Sequence, residues 1–445
     1  MRLLRGFEEA RKFVAERGPM SEFDVPEEMA RRIESVFNQP MAPGALVARI
    51  LKDVQIRGDE AVRDFSYRID GVRIEALEVP KQQILEASKN VSQELYAALE
   101  LAAMRVRDFA ATALPTTWHN SDTGLGERIV PIDRVGIYTP GGSAAYPSSV
   151  LMVAVTARAA GVKELILSTP PRANGSFDPA VAAAILIAGV ERVFCIGGAQ
   201  AIAAMAFGTN SVPRVDKICG PGNIFVTLAK QQLYGQVGID GLFGPTDTLA
   251  VADDSTDPVL CAADLLAQAE HDVLATPVLV TPSERFLQQV DDEIEQQLQG
   301  LKRQEIAQAA LRGQGTKVLV GNLDEAMKVA NIFAPEHLCL MVSNPWRLVD
   351  KVSNAGTVFV GQFSPEVLGD FVAGPSHTIP TEGTARFSSY LGVDQFLKRI
   401  PVVALQHNIV KQLVIPAATI ARAEGFTGHA RAAELRLDSQ SQGKV

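Results

Sequence analysis

The chain contains only six histidines, and several of them stand beside groups that can share a metal ion or a proton. Gln268 and His271 are three residues apart in Gln268-Ala-Glu-His271. In a helix this spacing puts both side chains on one face, where a carboxamide oxygen and an imidazole can meet one cation. The residues alone leave the alternative open, because an exposed polar helix face has the same pattern.

A carboxylate adjoins an imidazole in Ala334-Pro-Glu-His-Leu338, whose other residues are apolar. Such a pair suits proton transfer, because burial and mutual charge can move either pKa toward neutrality; an ordinary polar pair at a helix end is the alternative. More carboxylates and imidazoles occur in Gly369-Asp370, in Gly374-Pro-Ser-His377 and in Glu424-Gly-Phe-Thr-Gly-His429. This nitrogen- and oxygen-rich set without thiolate fits zinc, manganese or cobalt, and zinc is the default for a histidine-containing site.

Three glycine-rich segments each follow a predicted strand and precede a predicted helix. They are Thr139-Pro-Gly-Gly-Ser143, Gly197-Gly-Ala-Gln200 and Cys219-Gly-Pro-Gly-Asn223. Ligands of open parallel sheets bind where strands end, glycine allows close backbone approach, and a helix N-terminus favours phosphate. None of the three has the spacing G-x-G-x-x-G, so the usual dinucleotide fingerprint is missing. The residues alone leave both a nucleotide-type ligand and plain strand-to-helix turns open.

The elements that must position these residues alternate between strand and helix after Trp118, which predicts an α/β fold with parallel, doubly wound sheets. The predicted strands are 134–138, 164–168, 192–196, 217–219, 248–252, 277–280, 317–320 and 356–360. The predicted helices are 148–160, 179–189, 199–207, 224–234, 258–270 and 283–299, after a helical pattern over 44–107.

We predict two incomplete, Rossmann-like, doubly wound α/β units, one inserted in the other. Residues 34–136 and 248–390 form the first α/β domain, which carries the metal-type and catalytic residues. Residues 137–247 form the inserted second domain, which carries the glycine-rich loops. Residues 1–33 are predicted as a helical arm, and residues 391–445 as a helical tail.

Composition excludes several classes of protein. The formal charge of −9 and the pI near 5.4 disfavour a phosphate-tracking nucleic-acid binder. No apolar run is long enough for a membrane span, and the charged start lacks the apolar stretch of a signal peptide. Four scattered cysteines without a C-x-x-C pair disfavour a disulfide framework or a cysteine zinc site. We expect a soluble, cytoplasmic, globular protein.

From about residue 30 to 435, these motifs resemble the histidinol dehydrogenase family. The most specific stretches are Val135-Gly-Ile-Tyr-Thr-Pro-Gly-Gly-Ser143, Gly197-Gly-Ala-Gln-Ala-Ile-Ala-Ala204, Gly220-Pro-Gly-Asn223, Asp264-Leu-Leu-Ala-Gln-Ala-Glu-His-Asp272, Ala334-Pro-Glu-His-Leu338 and Gly369-Asp-Phe-Val-Ala-Gly-Pro-Ser-His377. The resemblance implies an NAD-dependent, zinc-containing homodimer that oxidises L-histidinol through L-histidinal to L-histidine in two hydride transfers. These are the last steps of histidine biosynthesis.

The resemblance also implies roles for single residues. Tyr138, Gln200 and Asn223 look like the NAD contacts. Gln268, His271, Asp370 and His429 look like the ligands of one zinc ion per subunit, and Glu336 and His337 like the catalytic pair. Thr246, His377 and Glu424 match substrate contacts, together with His337 and the four zinc ligands. The tail is expected to reach the partner subunit, so that each active site is shared.

One motif departs from the family, which usually has Gly-Pro-Ser-Glu where this chain has Gly244-Pro-Thr-Asp247. Thr246 keeps the hydroxyl and adds a methyl, and Asp247 has a carboxylate one carbon shorter. A methylene is worth only about 1–3 kcal/mol of discrimination in a pocket, so activity can survive. Another small alcohol, such as a sulfonated propanediol, therefore remains an alternative substrate.

Two alternatives from other classes are a metal-dependent hydrolase and a non-catalytic homologue. A hydrolase needs no nicotinamide contacts, yet all three positions for them are filled. A degenerate protein would have lost some of the scattered metal-type residues, which are all present.

Overall fold

The computed structural model describes residues 1–16, 34, 37, 39–141, 145–172 and 177–438. The chain forms two compact units. The major unit comprises Met1–Ala113 and Ile132–Phe396, and the minor unit comprises Leu114–Pro131 and Leu397–Val445. Within the described residues, no helix is both long and apolar enough to cross a bilayer.

Strands and helices alternate through most of the major unit. In the described residues the strands are β1 (Arg2–Arg5), β2 (Trp118–Asn120), β3 (Leu125–Pro131), β4 (Arg134–Tyr138), β5 (Glu164–Ser168), β6 (Arg192–Phe194), β7 (Lys217–Cys219), β8 (Gly238–Ile239), β9 (Asp247–Ala252), β10 (Thr276–Thr281), β11 (Thr316–Leu319), β12 (His337–Met341), β13 (Thr357–Val360) and β14 (Leu397–Val403). The helices are α1 (Gly6–Glu16), α2 (Pro43–Arg57), α3 (Asp59–Phe65), α4 (Lys81–Ser88), α5 (Gln93–Thr112), α6 (Pro147–Ala159), α7 (Pro179–Ala188), α8 (Gly198–Phe207), α9 (Ile224–Leu233), α10 (Pro258–Ala269), α11 (Glu284–Leu298), α12 (Gln304–Gly313), α13 (Leu323–Phe333), α14 (Trp346–Val349), α15 (Glu366–Leu368), α16 (His407–Ala423) and α17 (Thr427–Asp438).

A six-stranded sheet with the order β1-β11-β10-β9-β12-β13 is parallel throughout. Its inner strands β9, β10 and β12 are fully buried, which explains their continuous apolar sequences. Alternate side chains enter two cores. Ala250 and Cys339 pack with apolar residues of α10, α11 and α12, whereas Leu249 and Leu338 pack with residues of α13.

A second, five-stranded sheet has the order β6-β5-β4-β7-β8 and is also parallel. The prediction of an α/β fold with parallel sheets is confirmed. The predicted strands and helices all occur, with ends displaced by at most two residues. β12, which lies between β9 and the edge strand β13 of the six-stranded sheet, was not predicted.

Helices α2 and α3 pack on the five-stranded sheet, whereas we expected this segment in the first α/β domain. The apolar stripe of α2, which includes Leu46, Ile50 and Val54, shares one core with Phe194 of β6 and Ile202 of α8. Sequence periodicity shows which helix face is apolar, but it does not show which sheet covers that face. The division of the chain into domains stays a prediction.

Both predicted terminal extensions contain strands. Arg2–Arg5 pairs with Thr316–Leu319, so β1 covers the edge of β11 that would otherwise expose unpaired backbone groups. The remaining residues of the predicted arm, 17–33, lie outside the described residues. In the minor unit, β14 pairs antiparallel with β3, and β3 pairs with β2, before the tail continues as α16 and α17.

Two isoleucines of α2 provide a matched test of this packing. Ile50 is 1% exposed inside the core of the five-stranded sheet, and Ile56 is 70% exposed on the same helix. We expect Ile50→Ala to lower the free energy of unfolding by about 2–5 kcal/mol, because it leaves a cavity. Ile56→Ala should change it by less than about 0.5 kcal/mol. Urea unfolding followed by circular dichroism measures both, and equal losses would contradict the packing described.

Candidate active site

The candidate site lies at the amino ends of two neighbouring strands, β9 and β12. Thr246 precedes β9, and Glu336 precedes β12, whose first residue is His337. His337 pairs in register with Thr248, so the parallel ladder brings the two strand starts together. Helix α10 follows β9, and Gln268 lies in its last turn. Because a helix after a parallel strand runs back toward the start of the sheet, this turn lies near the same strand ends.

One cavity of about 710 Å³ joins most of the predicted site residues. The seven that line it are Thr246, Gln268, His271, Glu336, His337, Asp370 and His377. Its wall also includes Ser149, Phe243 and Arg303, which the sequence analysis did not single out.

Glu336 is a buried carboxyl group with close polar neighbours. It accepts a hydrogen bond from the Asp247 backbone N–H at 3.1 Å, and the Thr246 hydroxyl oxygen lies 2.6 Å from its Oε2. Burial raises the pKa of Glu336 to about 8, although the charge of His337 and the hydrogen bonds act in the opposite direction. The group therefore changes protonation state near neutral pH, as a general base requires.

His337 stands among three carboxyl groups. Its Nε2 lies 3.2 Å from Asp370 Oδ1, and its Nδ1 lies 3.8 Å from Glu336 Oε2. Nδ1 has no hydrogen-bond partner among the described residues. Burial alone lowers the pKa of His337, but Glu336, Glu366 and Asp370 outweigh this effect and raise it to about 10. A cation bound by Asp370 would offset part of that negative charge.

Asp247 braces the backbone instead of facing the cavity. Its Oδ1 accepts a hydrogen bond from the Glu336 N–H at 2.7 Å, and its Oδ2 accepts one from the Glu382 N–H at 2.8 Å. The side chain is fully buried and does not line the cavity, whereas Thr246 does. The departure at position 247 therefore concerns the support of Glu336, and the departure at position 246 concerns the cavity wall.

Asp370 and His377 come from one irregular segment. Asp370 lies in the helical turn Gly369–Ala373, and its backbone carbonyl accepts a hydrogen bond from His377 Nδ1 at 2.7 Å. Because a carbonyl only accepts, Nδ1 carries the proton, and Nε2 is left 3.3 Å from the Ser149 hydroxyl oxygen. Burial raises the pKa of Asp370, but the hydrogen bond and charge of His337 prevail and lower it.

Gln268 is oriented by a carboxylate that the sequence analysis did not single out. Glu366 is 1% exposed and accepts hydrogen bonds from Gln268 Nε2, from the Thr248 hydroxyl and, at 3.0 Å, from the Cys339 thiol. Burial raises the pKa of Glu366 above its ordinary value, and the charge of His337 and the hydrogen bonds from Thr248 and Cys339 offset only part of this effect. No sequence motif indicates a role for Glu366, because acidic residues are common at the first position of a helix.

The donors in the major unit fit a divalent cation. They are an amide oxygen at Gln268, an imidazole at His271 whose pKa is lowered first by burial, and a carboxyl group at Asp370 whose pKa is also lowered. A lowered pKa favours the neutral imidazole and the ionised carboxylate, which are the forms that bind metal. Among the described residues, no three histidine, cysteine, aspartate or glutamate side chains come together as a ready metal site.

The predicted cofactor contacts lie at the carboxyl ends of the five-stranded sheet. The hydroxyl oxygen of Tyr138 accepts a hydrogen bond from the Gly198 N–H at 3.1 Å, which joins the ends of β4 and β6. Gln200 is fully buried, yet among the described residues neither polar atom of its carboxamide has a hydrogen-bond partner. Asn223 caps α9 through hydrogen bonds from two backbone N–H groups. The orphaned amide fits a polar ligand in these loops, because buried polar groups are normally paired.

A buried ion pair holds the third glycine-rich loop. Lys230 donates to the Gly220 carbonyl oxygen at 3.1 Å and to Asp240, and Asp240 accepts from the Gly220 N–H at 2.6 Å. Gly220 itself has φ +114°, and a Cβ there would lie 2.0 Å from the Tyr138 carbonyl oxygen. The loop backbone can therefore pass this close to β4 only with glycine.

Two predicted site residues belong to the minor unit. Glu424 follows the last residue of α16, and His429 lies in the first turn of α17, with its ring centroid 5.3 Å from that of Phe426. Both side chains are exposed within this chain.

Comparisons with known proteins point to one family. The family model for histidinol dehydrogenase matches residues 38–437. The chain is 45% identical over 442 residues to a histidinol dehydrogenase of Dehalococcoides mccartyi, covering 98% of this chain and all of the relative. It is 49% identical over 421 residues to one from Deinococcus radiodurans, covering 94% and 96%. A crystal structure of histidinol dehydrogenase from Elizabethkingia anophelis superimposes with a TM-score of 0.89 at 32% identity, covering 99% of both chains.

The chain belongs to the histidinol dehydrogenase family. This confirms the resemblance inferred from the motifs. In this chain Asp247 supports Glu336, Glu366 supports Gln268, and the Lys230–Asp240 pair supports the third glycine-rich loop. The sequence alone indicated none of these roles. Their partners lie far away along the chain or in backbone groups, so spacing within a motif gives no signal for them.

Proposed function

We propose that this chain oxidises L-histidinol through L-histidinal to L-histidine, with NAD as hydride acceptor and zinc as the bound metal. The observation that carries the proposal is the buried Glu336–His337 pair in one cavity with the donors Gln268, His271 and Asp370. We also infer a cytoplasmic location without nucleic-acid or membrane partners. All four cysteines are free, as in reducing compartments, and the net charge is negative.

For the metal, we assign Gln268, His271, Asp370 and His429 as ligands of one zinc ion per subunit. When bound, zinc would orient the substrate through its nitrogen atoms, since the reaction takes place at the side-chain alcohol carbon.

For the cofactor, we assign Tyr138, Gln200 and Asn223 as NAD contacts. When bound, NAD supplies the electron-pair acceptor of both oxidations. The buried carboxamide of Gln200 offers both a donor and an acceptor to a polar ligand.

The alcohol oxidation requires removal of the hydroxyl proton, and we assign His337 to this role. Its Nδ1 has no hydrogen-bond partner in the part of the chain that the structure describes, while Nε2 is held by Asp370. In its neutral form, which a cation at Asp370 would favour by offsetting the carboxylates that raise its pKa, the imidazole can accept a proton at the free nitrogen as the carbon loses its hydride.

The aldehyde must add water before it can lose a second hydride, and we assign Glu336 to activate that water. Its carboxylate is held by the Asp247 backbone and lies close to the Thr246 hydroxyl. His337 can then take the proton of the hydrated aldehyde during the second oxidation. His377, next to Ser149, and Glu424 are assigned as further substrate contacts.

We further propose a homodimer with shared active sites. Glu424 and His429 are needed for substrate and metal, yet they lie in the minor unit, which carries few buried apolar side chains of its own. A symmetric dimer that exchanges such segments has two equivalent, self-complementary contacts.

The proposed reaction predicts two molecules of NADH for each molecule of L-histidine. Purified protein with zinc, NAD and L-histidinol should show this ratio by NADH absorbance and amino-acid analysis. Chelation should abolish the activity, because the ligand set lacks thiolate, and added zinc should restore it. Full activity of protein shown to be metal-free would contradict the metal assignment. Faster turnover of a sulfonated propanediol would contradict the substrate.

Glu336→Gln tests the division of labour between the catalytic pair. An amide cannot accept the proton of water, so oxidation of supplied L-histidinal should slow by about 10²–10⁴-fold, and oxidation of L-histidinol to the aldehyde much less. Since the pKa of Glu336 is raised to about 8, the active carboxylate becomes more populated as pH rises from 6 to 8. Aldehyde oxidation should therefore accelerate over this range in the unmodified chain, and the variant should lose that acceleration. Equal slowing of the two single-step rates argues against these roles.

Complementation tests the shared site. His429→Ala and His271→Ala should each be inactive as homodimers. Random mixing makes about half the dimers mixed, each with one intact site, so we expect activity near one quarter of the unmodified chain. Mixed dimers detected by mass spectrometry without recovered activity would rule out sharing.

A further inference from the structure

Two polar side chains lie beneath the candidate site, one on β9 and one on β12. Thr248 follows Thr246 by two residues, and Cys339 follows His337 by two residues. Side chains two apart on a strand point to the same face, so Thr248 and Cys339 stand on the site's face of the sheet. The register, which pairs His337 with Thr248, is consistent with this placement.

Glu366 fills the position where these side chains converge. Its Oε1 accepts from the Thr248 hydroxyl and from the Cys339 thiol, and its Oε2 accepts from Gln268 Nε2. Glu366 and Gln268 are 1% and 2% exposed. The carboxylate does not line the cavity, whereas Gln268 does. Glu366 therefore acts on the cavity only through its neighbours.

The contact with Glu366 determines which way the carboxamide of Gln268 faces. The amide nitrogen of Gln268 donates to Glu366 Oε2, and the ionised form of that carboxyl group only accepts hydrogen bonds. The amide oxygen then faces the opposite way, 2.9 Å from the Thr246 hydroxyl oxygen. Turning the amide over would set two oxygens against each other at Glu366.

Glu366 is also linked to Asp370 through the chain. It begins α15, which continues without a break into the turn Gly369–Ala373 that carries Asp370. Holding Glu366 against β9 and β12 thus restrains the backbone four residues before Asp370. One buried side chain therefore restrains two of the proposed metal ligands.

We propose that Glu366 is a positioning residue for the divalent-cation site: it holds the amide nitrogen of Gln268 so that the amide oxygen is presented to the metal. The inference rests on the ligand set of the proposed function and adds a residue outside it. Outer partners that orient metal ligands typically change metal affinity by about 10–100-fold when they are removed.

Zinc affinity, measured without turnover, tests this role. Full-length protein stripped of metal is titrated with zinc in competition with a chromophoric chelator. We expect Glu366→Ala to weaken zinc binding by about 10–100-fold. Glu366→Gln should restore much of the loss, because its amide oxygen can accept from Gln268 and its amide group can donate to the Thr248 hydroxyl. Cys339→Ala is the matched control; it removes a contact of the same carboxylate without touching Gln268 and should change the affinity little.

A double-mutant cycle separates this role from general loosening of the fold. If Glu366 acts through Gln268, and not through its backbone link to Asp370, adding Glu366→Ala to Gln268→Ala should weaken zinc binding little further. If the fold-losses of zinc affinity in the two single variants multiply in the double variant, the positioning role is overturned and the ligand set stays intact. Unchanged affinity in Gln268→Ala would overturn the ligand assignment, and the positioning role with it. Should Glu366→Ala not fold by circular dichroism, Glu366→Asp, with its carboxylate withdrawn by one carbon, takes its place in the cycle.

Discussion

The parallel pairing of β9 with β12 is the contact on which the rest of the candidate site depends. The two strands are joined along their length, and both are fully buried. Their amino ends therefore meet at one point of the sheet edge. Thr246, Asp247, Glu336 and His337 take their positions from that register, although about ninety residues separate the two pairs. A shift of one residue would turn His337 to the other face of the sheet.

The second constraint is the cost of burying carboxyl groups. Asp247, Glu336 and Glu366 are all buried within the major unit. Each is held by hydrogen bonds from hydroxyl, thiol, amide or backbone groups, as buried polar groups must be. The result is a graded set: Asp247 supports the backbone, Glu366 supports a side chain, and Glu336, with a raised pKa, lies at the cavity. Groups that resemble one another in sequence thus acquire different chemistry from their surroundings.

The two sheets carry their candidate functional residues at opposite ends of their strands. The glycine-rich loops follow the carboxyl ends of β4, β6 and β7, as expected for ligands of an open parallel sheet. Glu336 and His337 instead lie at the amino end of β12 in the six-stranded sheet. This second position does not follow from the usual rule. It arises because α10 and the segment after β13 return to the starts of the strands with Gln268 and Asp370.

The sequence by itself determined the α/β class, many of the strands and helices, the family and seven of the residues that line the cavity. These features are local: periodic apolar positions, glycines at turns, and motifs whose spacing is printed in the chain. Seven residues that were identified from these motifs line one cavity.

Only the tertiary structure decided which residues support those motifs and where the termini lie. β1 joins the sheet through an edge more than 300 residues away along the chain, and α2 packs on the five-stranded sheet. Glu366 becomes important only when α10, β9 and β12 surround it. The physical reason is that hydrogen bonding and burial depend on neighbours in space, and a single sequence records only neighbours along the chain.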